Sequence, residues 1–377
     1  MTDVPPYDPD ARRDTPLALK LKALIRAKGP ITVTEYMQAC LQDPEHGYYR
    51  TKTAIGRRGD FITAPEISQV FGELIGLWCV VVWRQMGQPA SFKLIELGPG
   101  RGTLMADALR AAKMAPGFLK AAEIALVETS AVLKQEQEQR LCAQAASVQW
   151  FDSLDGVPYG PSIIIGNEFL DTAAPAQFVA TEHGQAIRRV GLDTRDRLQF
   201  VARPGPAVQA GDPPSDLGPV KELQFFDSVA NGVGLRAGHA PQAVLLVDYG
   251  HIASEQGDSL QAVRAHHYEH PLTSPGEADL SIQVDFARAA EVMAQAPCIF
   301  DDAAPPLCID GPVTQAEFLG SLGIIERAQK LMAANPTQAN AIEMAVARLI
   351  APNGMGTRFK AMGVRSPSLP PLPGFPF

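Results

Sequence analysis

The 377-residue sequence has few cysteines, no surplus of basic residues and no long apolar run. The five cysteines are odd in number and show no CxxC spacing, which argues against a disulfide framework and against a zinc site. A net charge of −8 argues against a nucleic-acid backbone as the main partner. No stretch of about 18 apolar residues occurs, so no membrane span is expected.

The N-terminal residues also lack features that targeting segments have. They contain no apolar core of a secretory signal, and they carry several acids, unlike a transit peptide. We therefore expect a cytoplasmic protein of bacterial type. Residues 1–14 are predicted to form a disordered arm.

From Lys93 onwards, short apolar segments alternate with helical ones. The segments "FKLIEL", "EIALVE", "SVQWF", "SIIIGN" and "AVLLVDYG" are typical of buried parallel strands. This alternation predicts an α/β fold, with a Rossmann-like, mostly parallel sheet covered by helices on both faces. The predicted divisions are an N-terminal helical or lid region at 15–90, a core at 91–250 with an antiparallel β insertion near 177–201, a lid loop with a helical subdomain and the last core strand at 251–364, and a proline-rich tail at 365–377 that runs along the surface.

Local signals mark where the N-terminal helices begin. Thr15 precedes a proline that fits the first helical position, and Thr32 and Glu35 have the spacing of a capping box. Ser68 precedes a long apolar segment and is its expected cap. These residues predict three helix starts.

The segment "ELGPGRG" at 96–102 joins the first core strand to a helix. Its glycines permit a tight turn and leave bare backbone for a ligand. A dinucleotide-binding turn reads GxGxxG, whereas the sixth position here is Thr103. A purely structural turn is the alternative for the glycines taken alone. The residues predicted to hold the ligand are Glu96, Gly98, Pro99, Gly100 and Gly102.

The acid before the turn indicates which ligand to expect. A pyrophosphate disfavours a nearby carboxylate, whereas S-adenosylmethionine carries a sulfonium and an ammonium that Glu96 suits. Glu128 closes the second strand and is predicted to bind the ribose hydroxyls. Asp152 follows the third strand and is predicted to meet the adenine edge. The three acids together favour S-adenosylmethionine as the cofactor.

Three residues in the loop before the sheet are further candidates for cofactor binding. Asp60, Thr63 and Glu66 lie in "GDFITAPEIS", a polar segment without a clear period. A loop of this kind in a compact protein is often functional, and these side chains are predicted to fold over the cofactor. Ordinary turn and cap chemistry is the alternative.

Polar residues follow the fourth core strand, next to the expected position of the methyl group. Asn167, Glu168 and Asp171 are predicted to bind and orient the methyl acceptor. A guanidinium acceptor stays protonated in water and needs carboxylates to hold it. The alternative is that the two acids only stabilise a helix N-terminus.

Three histidines cluster in the second long loop. His266, His267 and His270 have no partner that the sequence assigns, and a zinc site would need a second ligand group at a known spacing. We interpret them as residues that pack the loop, with a role as proton acceptor left open.

Seven segments together resemble the MidA-like family of class I S-adenosylmethionine-dependent methyltransferases, which is related to a mitochondrial complex I assembly factor. They are "DPEHGYY", "GDFITAPEISQVFGELIG", "ELGPGRGTLMAD", "NEFLDTAAPAQF", "VDYG", "HPLTSPGEADLSIQVDF" and "GMGTRFKAMGV". The resemblance implies a seven-stranded sheet and, in the mitochondrial branch, protein arginine methylation of the iron–sulfur-carrying subunit of complex I.

Two other functions stay open beside protein arginine methylation. The large amount of chain outside the core and the segment "AAPA" at 173–176 also fit an assembly chaperone that keeps the fold without transferring methyl groups. The long loops also fit methylation of a small molecule. The sequence leaves the oligomeric state unknown.

Overall fold

The computed structural model describes residues 7–51, 62–142, 147–181, 184–203, 220–237, 239–255 and 257–376. The α-helices in this part of the chain are α1 (Pro16–Lys28), α2 (Val33–Gln42), α3 (Tyr48–Thr51), α4 (Ala64–Ile67), α5 (Gln69–Gln85), α6 (Thr103–Ala112), α7 (Phe118–Ala121), α8 (Ala131–Leu141), α9 (Asp227–Ala237), α10 (Phe286–Gln295), α11 (Gln315–Ser321), α12 (Ile324–Ala334) and α13 (Ala339–Ile350).

The strands complete this inventory. They are β1 (Ile31–Thr32), β2 (Phe92–Leu97), β3 (Ala122–Val127), β4 (Val148–Phe151), β5 (Ser162–Asn167), β6 (Ala176–Thr181), β7 (Gly184–Leu192), β8 (Leu198–Arg203), β9 (Val220–Leu223), β10 (Gln242–His251), β11 (Gln261–Arg264), β12 (His267–Glu269), β13 (Asp279–Ser281), β14 (Val284–Asp285), β15 (Cys308–Thr314) and β16 (Phe359–Arg365).

The chain divides into two compact units, each made of separate stretches of sequence. The sheet unit comprises Ile62–Leu170, Phe226–Ser254 and Val284–Phe377. The ribbon unit comprises Met1–Phe61, Asp171–Phe225 and Glu255–Gln283. The linear divisions drawn from the sequence stay a prediction.

The sheet unit is built on one mixed sheet. Its strand order is β15-β16-β10-β5-β2-β3-β4, and the two-residue β14 pairs with the end of β10. Strands β10, β5, β2, β3 and β4 run parallel to one another. Strand β16 is antiparallel to both β10 and β15. The sheet therefore has seven strands along one path and β14 as a short eighth strand, so it is not exactly the seven-stranded sheet that the resemblance implies. The α/β class with a mostly parallel sheet is confirmed.

The central strands explain why the sheet is covered on both faces. Ile163, Ile164 and Ile165 of β5 are buried in succession, as are Val244 and its neighbours in β10. Successive side chains of a strand point to opposite faces, so a continuous buried run requires packing on both. Helices α5 and α6 supply one of these layers, through Trp78 and the other buried residues that share a core with the strands.

The ribbon unit contains an antiparallel sheet in the order β1-β7-β6-β9, with β8 paired to β7. Strands β6 and β7 form the hairpin that the alternation near 177–201 predicts, and β8 extends it. A separate core of this unit includes Tyr36, Met37, Val190 and Leu280.

Both chain ends differ from expectation. The N-terminal arm was expected to be disordered through residue 14, but the N–H of Arg13 donates to the Thr273 carbonyl at 2.8 Å. The tail was expected along the surface, but Leu369, Leu372 and Phe375 are buried in the core of the sheet unit. The Trp78 indole N–H donates to the Pro373 carbonyl at 2.9 Å. Three well-spaced apolar side chains therefore dock the tail despite its prolines.

Candidate active site

The segment between β2 and α6 has the conformation that its glycines predict. Gly98, Gly100 and Gly102 have φ values of 59°, 53° and 75°, in the left-handed region that glycine adopts at low cost. A Cβ at Gly98 would lie 2.8 Å from the Phe169 ring. The turn therefore requires glycine both for its backbone conformation and for its packing.

Glu96 is a buried carboxyl group directly before this turn. It is 3% exposed, and its Oε2 atom has no hydrogen-bond partner among the described residues. Burial raises the pKa of Glu96 to about 8, although a hydrogen bond from the Met105 N–H opposes the shift. An orphaned, desolvated carboxyl group is stabilised when a cation binds beside it. Glu96 thus fits a positively charged ligand.

Glu128 lies at the carboxyl end of β3, as predicted. Its Oε1 atom accepts hydrogen bonds from the N–H groups of Thr129 and Ser130 at 2.8 and 2.7 Å. Burial raises the pKa of Glu128, and these N–H donors partly offset the rise. The N–H donors hold one oxygen of this half-buried carboxylate in place.

Asp152 follows β4 but faces solvent. Its side chain is 84% exposed and forms an ion pair with Lys134 at 3.1 Å. Surface pairs of this kind contribute little to stability because water and salt screen them. The predicted contact of Asp152 with an adenine edge stays a prediction.

Glu66 lies against the start of α6, whereas Asp60 is outside the described residues. The Thr103 hydroxyl donates a hydrogen bond to Glu66 Oε1, and Arg101 Nη1 lies 3.6 Å from Glu66 Oε2. Thr63 occupies the N-cap position of α4, without a hydrogen bond from its side chain to the helix. The loop before the sheet therefore brings Glu66 to the glycine turn.

Asn167 and Glu168 lie together at the carboxyl end of β5. Glu168 has a φ of 52°, an uncommon conformation for a residue other than glycine. Its Oε1 atom accepts from the Ala64 N–H and from Asn167 Nδ2, each at 3.1 Å. The Asn167 Oδ1 atom is buried without a hydrogen-bond partner in the described part of the chain. Backbone strain at a residue whose side chain is fixed is typical of functional sites.

Asp171 is the first residue of its stretch in the ribbon unit. It is buried, and its carbonyl accepts from the Ile282 N–H at 3.0 Å. The segment after Asn167 forms a 3₁₀ turn, Leu170–Thr172, and then enters β6. The only helical turn that begins there in the described chain is this 3₁₀ turn, with Asp171 in it, so the alternative that the two acids stabilise a helix N-terminus stays open.

Asp248 is a buried carboxylate that no sequence pattern singled out as a site residue. Its Oδ2 atom accepts from the N–H groups of Phe169 and Leu170 at 3.0 and 2.9 Å, and Oδ1 accepts from the Tyr249 N–H at 2.9 Å. Asp248 thereby fixes the segment that follows Glu168. Its signal in the sequence is the "VDYG" that ends an apolar strand.

The histidines lie in and beside a hairpin of the ribbon unit. His266 has a φ of 64° and lies in the turn between β11 and β12, and His267 begins β12. Burial, together with Arg12 and Arg188, lowers the pKa of His270 to about 4. His270 Nδ1 accepts from the Leu272 N–H at 3.1 Å, so this histidine shapes its own loop.

Comparison with known proteins identifies the family. A family model described as "Putative S-adenosyl-L-methionine-dependent methyltransferase" matches residues 74–300, more than half of the chain. The chain belongs to this family. Among the described residues, no helix is long and apolar enough to cross a membrane.

Curated relatives extend the likeness to nearly the whole chain. The mitochondrial protein arginine methyltransferase NDUFAF7 of Xenopus tropicalis is 34% identical, over 93% of this chain and 87% of its own. The human protein of the same name is 32% identical, over 92% and 82% of the two chains. A Burkholderia thailandensis structure described as a likely methyl transferase bound to S-adenosyl-homocysteine has a TM-score of 0.79 at 24% identity and covers 97% of each chain.

These matches decide several predictions. The predicted family, the methyltransferase activity and S-adenosylmethionine as methyl donor are confirmed by the family match. The fold class is also confirmed by the Burkholderia structure. The expected cytoplasmic localisation of bacterial type is wrong, since the relatives are named as mitochondrial proteins.

Proposed function

We propose that this methyltransferase modifies an arginine side chain of a protein substrate. The observation that carries the proposal is the 34% identity, across nearly the whole chain, to a relative named as a protein arginine methyltransferase. The carboxyl groups after β2 and β5 suit such a reaction, because both the donor and a guanidinium acceptor are cations.

On the donor side, the orphaned Oε2 atom of Glu96 fits the cationic part of S-adenosylmethionine. Glu128 would bind the ribose hydroxyls, since the carboxyl ends of parallel strands are where open α/β sheets bind ligands. When bound, the donor supplies a methyl carbon activated by its sulfonium. Further proposed contacts come from Gly98, Pro99, Gly100, Gly102, Thr63, Glu66 and Asp60, and a weak one with the adenine edge comes from the exposed Asp152.

On the acceptor side, Asn167 and Glu168 would hold the guanidinium and align one nitrogen with the methyl carbon, and the role of Asp171 in binding the acceptor stays a prediction. Transfer would form a bond between that nitrogen and the methyl carbon as the carbon–sulfur bond breaks, and the electron pair of the broken bond would stay on sulfur. The nitrogen then gives up one proton, which a carboxylate of this group accepts. Alignment and charge stabilisation are the main contributions that these residues make.

We further propose that the substrate is the iron–sulfur-carrying subunit of respiratory complex I and that methylation accompanies its assembly. The support is the resemblance to a complex I assembly factor, together with relatives named as mitochondrial proteins. Mass spectrometry of this subunit from cells with and without the protein tests the proposal. Identical arginine methylation in both would reject this substrate.

Two measurements test the activity itself. Calorimetry with S-adenosylmethionine and with NAD should detect binding of the former; binding of NAD alone would reject the donor. Transfer of radiolabelled methyl groups into protein should be abolished by Glu168→Gln and retained by the control Glu343→Gln, since Glu343 is exposed on α13. Donor binding without any methyl transfer would favour the assembly chaperone. Methyl transfer only to small molecules would favour a small-molecule methyltransferase.

A further inference from the structure

Gln137 is a completely buried polar residue in the middle of α8, a helix that otherwise carries many exposed charged and amide side chains. It lies nine residues after Glu128 and has no counterpart in any motif of the sequence. Burying an amide costs free energy unless its polar atoms are hydrogen-bonded. The partners of Gln137 therefore indicate what its burial achieves.

Those partners come from three separate parts of the donor side. Gln137 Nε2 donates to the Gly100 carbonyl at 2.6 Å and lies 3.4 Å from Glu128 Oε2. The Trp150 indole N–H donates to Gln137 Oε1 at 2.8 Å. A Cβ at Gly102 would lie 3.3 Å from the Gln137 Cγ atom, so the side chain also packs against the turn.

The bond from Trp150 determines which way the amide of Gln137 points. An indole N–H can only donate, so it requires the oxygen of the amide on its side. The Nε2 group must then face Gly100 and Glu128, the two acceptors. The N–H groups of Thr129 and Ser130 already hold Oε1 of Glu128, and Gln137 is positioned to orient Oε2.

We propose that Gln137 is a positioning residue for the donor site, which aligns the glycine turn with the ribose-binding carboxylate of Glu128. This inference rests on the proposed role of Glu128 in donor binding. Gln137 would act through its contacts with Gly100 and Glu128, not as a group that binds the donor. Supporting residues of this kind hold a binding group in its productive orientation, and their loss weakens binding without removing a direct contact.

The test compares two probes, S-adenosylhomocysteine and its 2′-deoxy analogue, by calorimetry. Gln137→Met keeps the length of the side chain but removes its donor and acceptor. It should weaken binding of S-adenosylhomocysteine about tenfold. The same substitution should weaken binding of the 2′-deoxy analogue by a smaller factor, because this analogue lacks one of the hydroxyls that Glu128 would bind. Gln135→Met, an exposed position on the same helix, should change neither affinity.

Trp150→Phe provides a second variant that leaves Gln137 in place. It frees the amide of Gln137 to rotate and should weaken binding of S-adenosylhomocysteine about threefold. The effect on binding of the 2′-deoxy analogue should again be smaller. If Gln137→Met fails to fold, as judged by thermal unfolding, Trp150→Phe alone decides the question. Equal losses for both probes, or none, would overturn the inference. Failure of the unmodified protein to bind S-adenosylhomocysteine would instead refute the donor site itself.

Discussion

Glu96 and Asp152 stand at the carboxyl ends of two parallel strands, yet their surroundings are opposite. Glu96 is the penultimate residue of β2, which lies between β3 and β5, and it is 3% exposed. Asp152 follows β4, the last strand in the order among the described residues, and its side chain is 84% exposed. A carboxyl group at the end of an interior strand is desolvated, whereas one beside the edge strand stays hydrated. The electrostatic role of such an acid therefore depends on the position of its strand within the sheet.

The largest expected effect of this difference is on stability as a function of pH. The pKa of Glu96 is about 8 in the folded protein and near its ordinary value of 4.5 when unfolded. The folded state thus binds the proton more tightly. The stabilisation from protonated Glu96 is fully present below pH 4.5 and is lost as the pH rises to about 8. The loss is on the order of 5 kcal/mol in the free energy of unfolding.

Denaturant unfolding of the ligand-free protein and of Glu96→Gln at several pH values measures this effect. Glutamine cannot ionise, so the difference in free energy between the two proteins should grow between pH 5 and pH 8 in favour of the variant. Other groups contribute equally to both proteins and cancel. A difference that stays constant with pH would contradict the assigned pKa.

The second prediction concerns affinity. Glu96→Gln should weaken binding of S-adenosylmethionine on the order of 100-fold at pH 8.5, where Glu96 is largely ionised, because the variant offers a dipole in place of a charge. Calorimetry measures the dissociation constants. Binding within threefold of the unmodified protein would show that Glu96 serves only the fold.

The third prediction tests how tightly the end of β2 is packed. Gly98→Ala places a Cβ 2.8 Å from the Phe169 ring in a left-handed conformation. It should lower the free energy of unfolding by about 2 kcal/mol. Gly87→Ala is the matched control, since Gly87 also has a positive φ but no described atom lies within 4 Å of its added Cβ. Equal losses at both positions would mean that Phe169 moves aside freely.

Features that depend on a few neighbouring residues were predictable from the sequence. The Thr32 side chain and the Glu35 side chain form the expected capping box, and Thr15 accepts from the Ala18 N–H at 3.0 Å. The glycine turn has the expected conformation because its glycines and the strand–helix junction are both local. The succession of apolar strands likewise sufficed for the parallel core of the sheet.

Features that depend on contacts between distant parts of the chain were not predictable. Gln137 resembles its polar neighbours in the sequence, and only the packing of α8 against Gly100 distinguishes it. The prolines of the tail suggest a surface segment, but Leu372 and Phe375 are buried against the core. The exposure of Asp152 depends on the strand order, which the spacing of motifs does not contain.

The smallest expected effect completes the comparison with Glu96. Asp152→Asn should change the affinity for S-adenosylmethionine by less than about twofold, because an exposed carboxylate paired with Lys134 already interacts with water and a cation. Calorimetry at 20 mM and at 300 mM salt checks this, since screening should remove any remaining effect. A loss near that of Glu96→Gln, persisting at high salt, would mean that the donor desolvates Asp152 on binding and that its contact with adenine is a strong one. The free protein would then be a poor guide to the electrostatics of the occupied site at this end of the sheet.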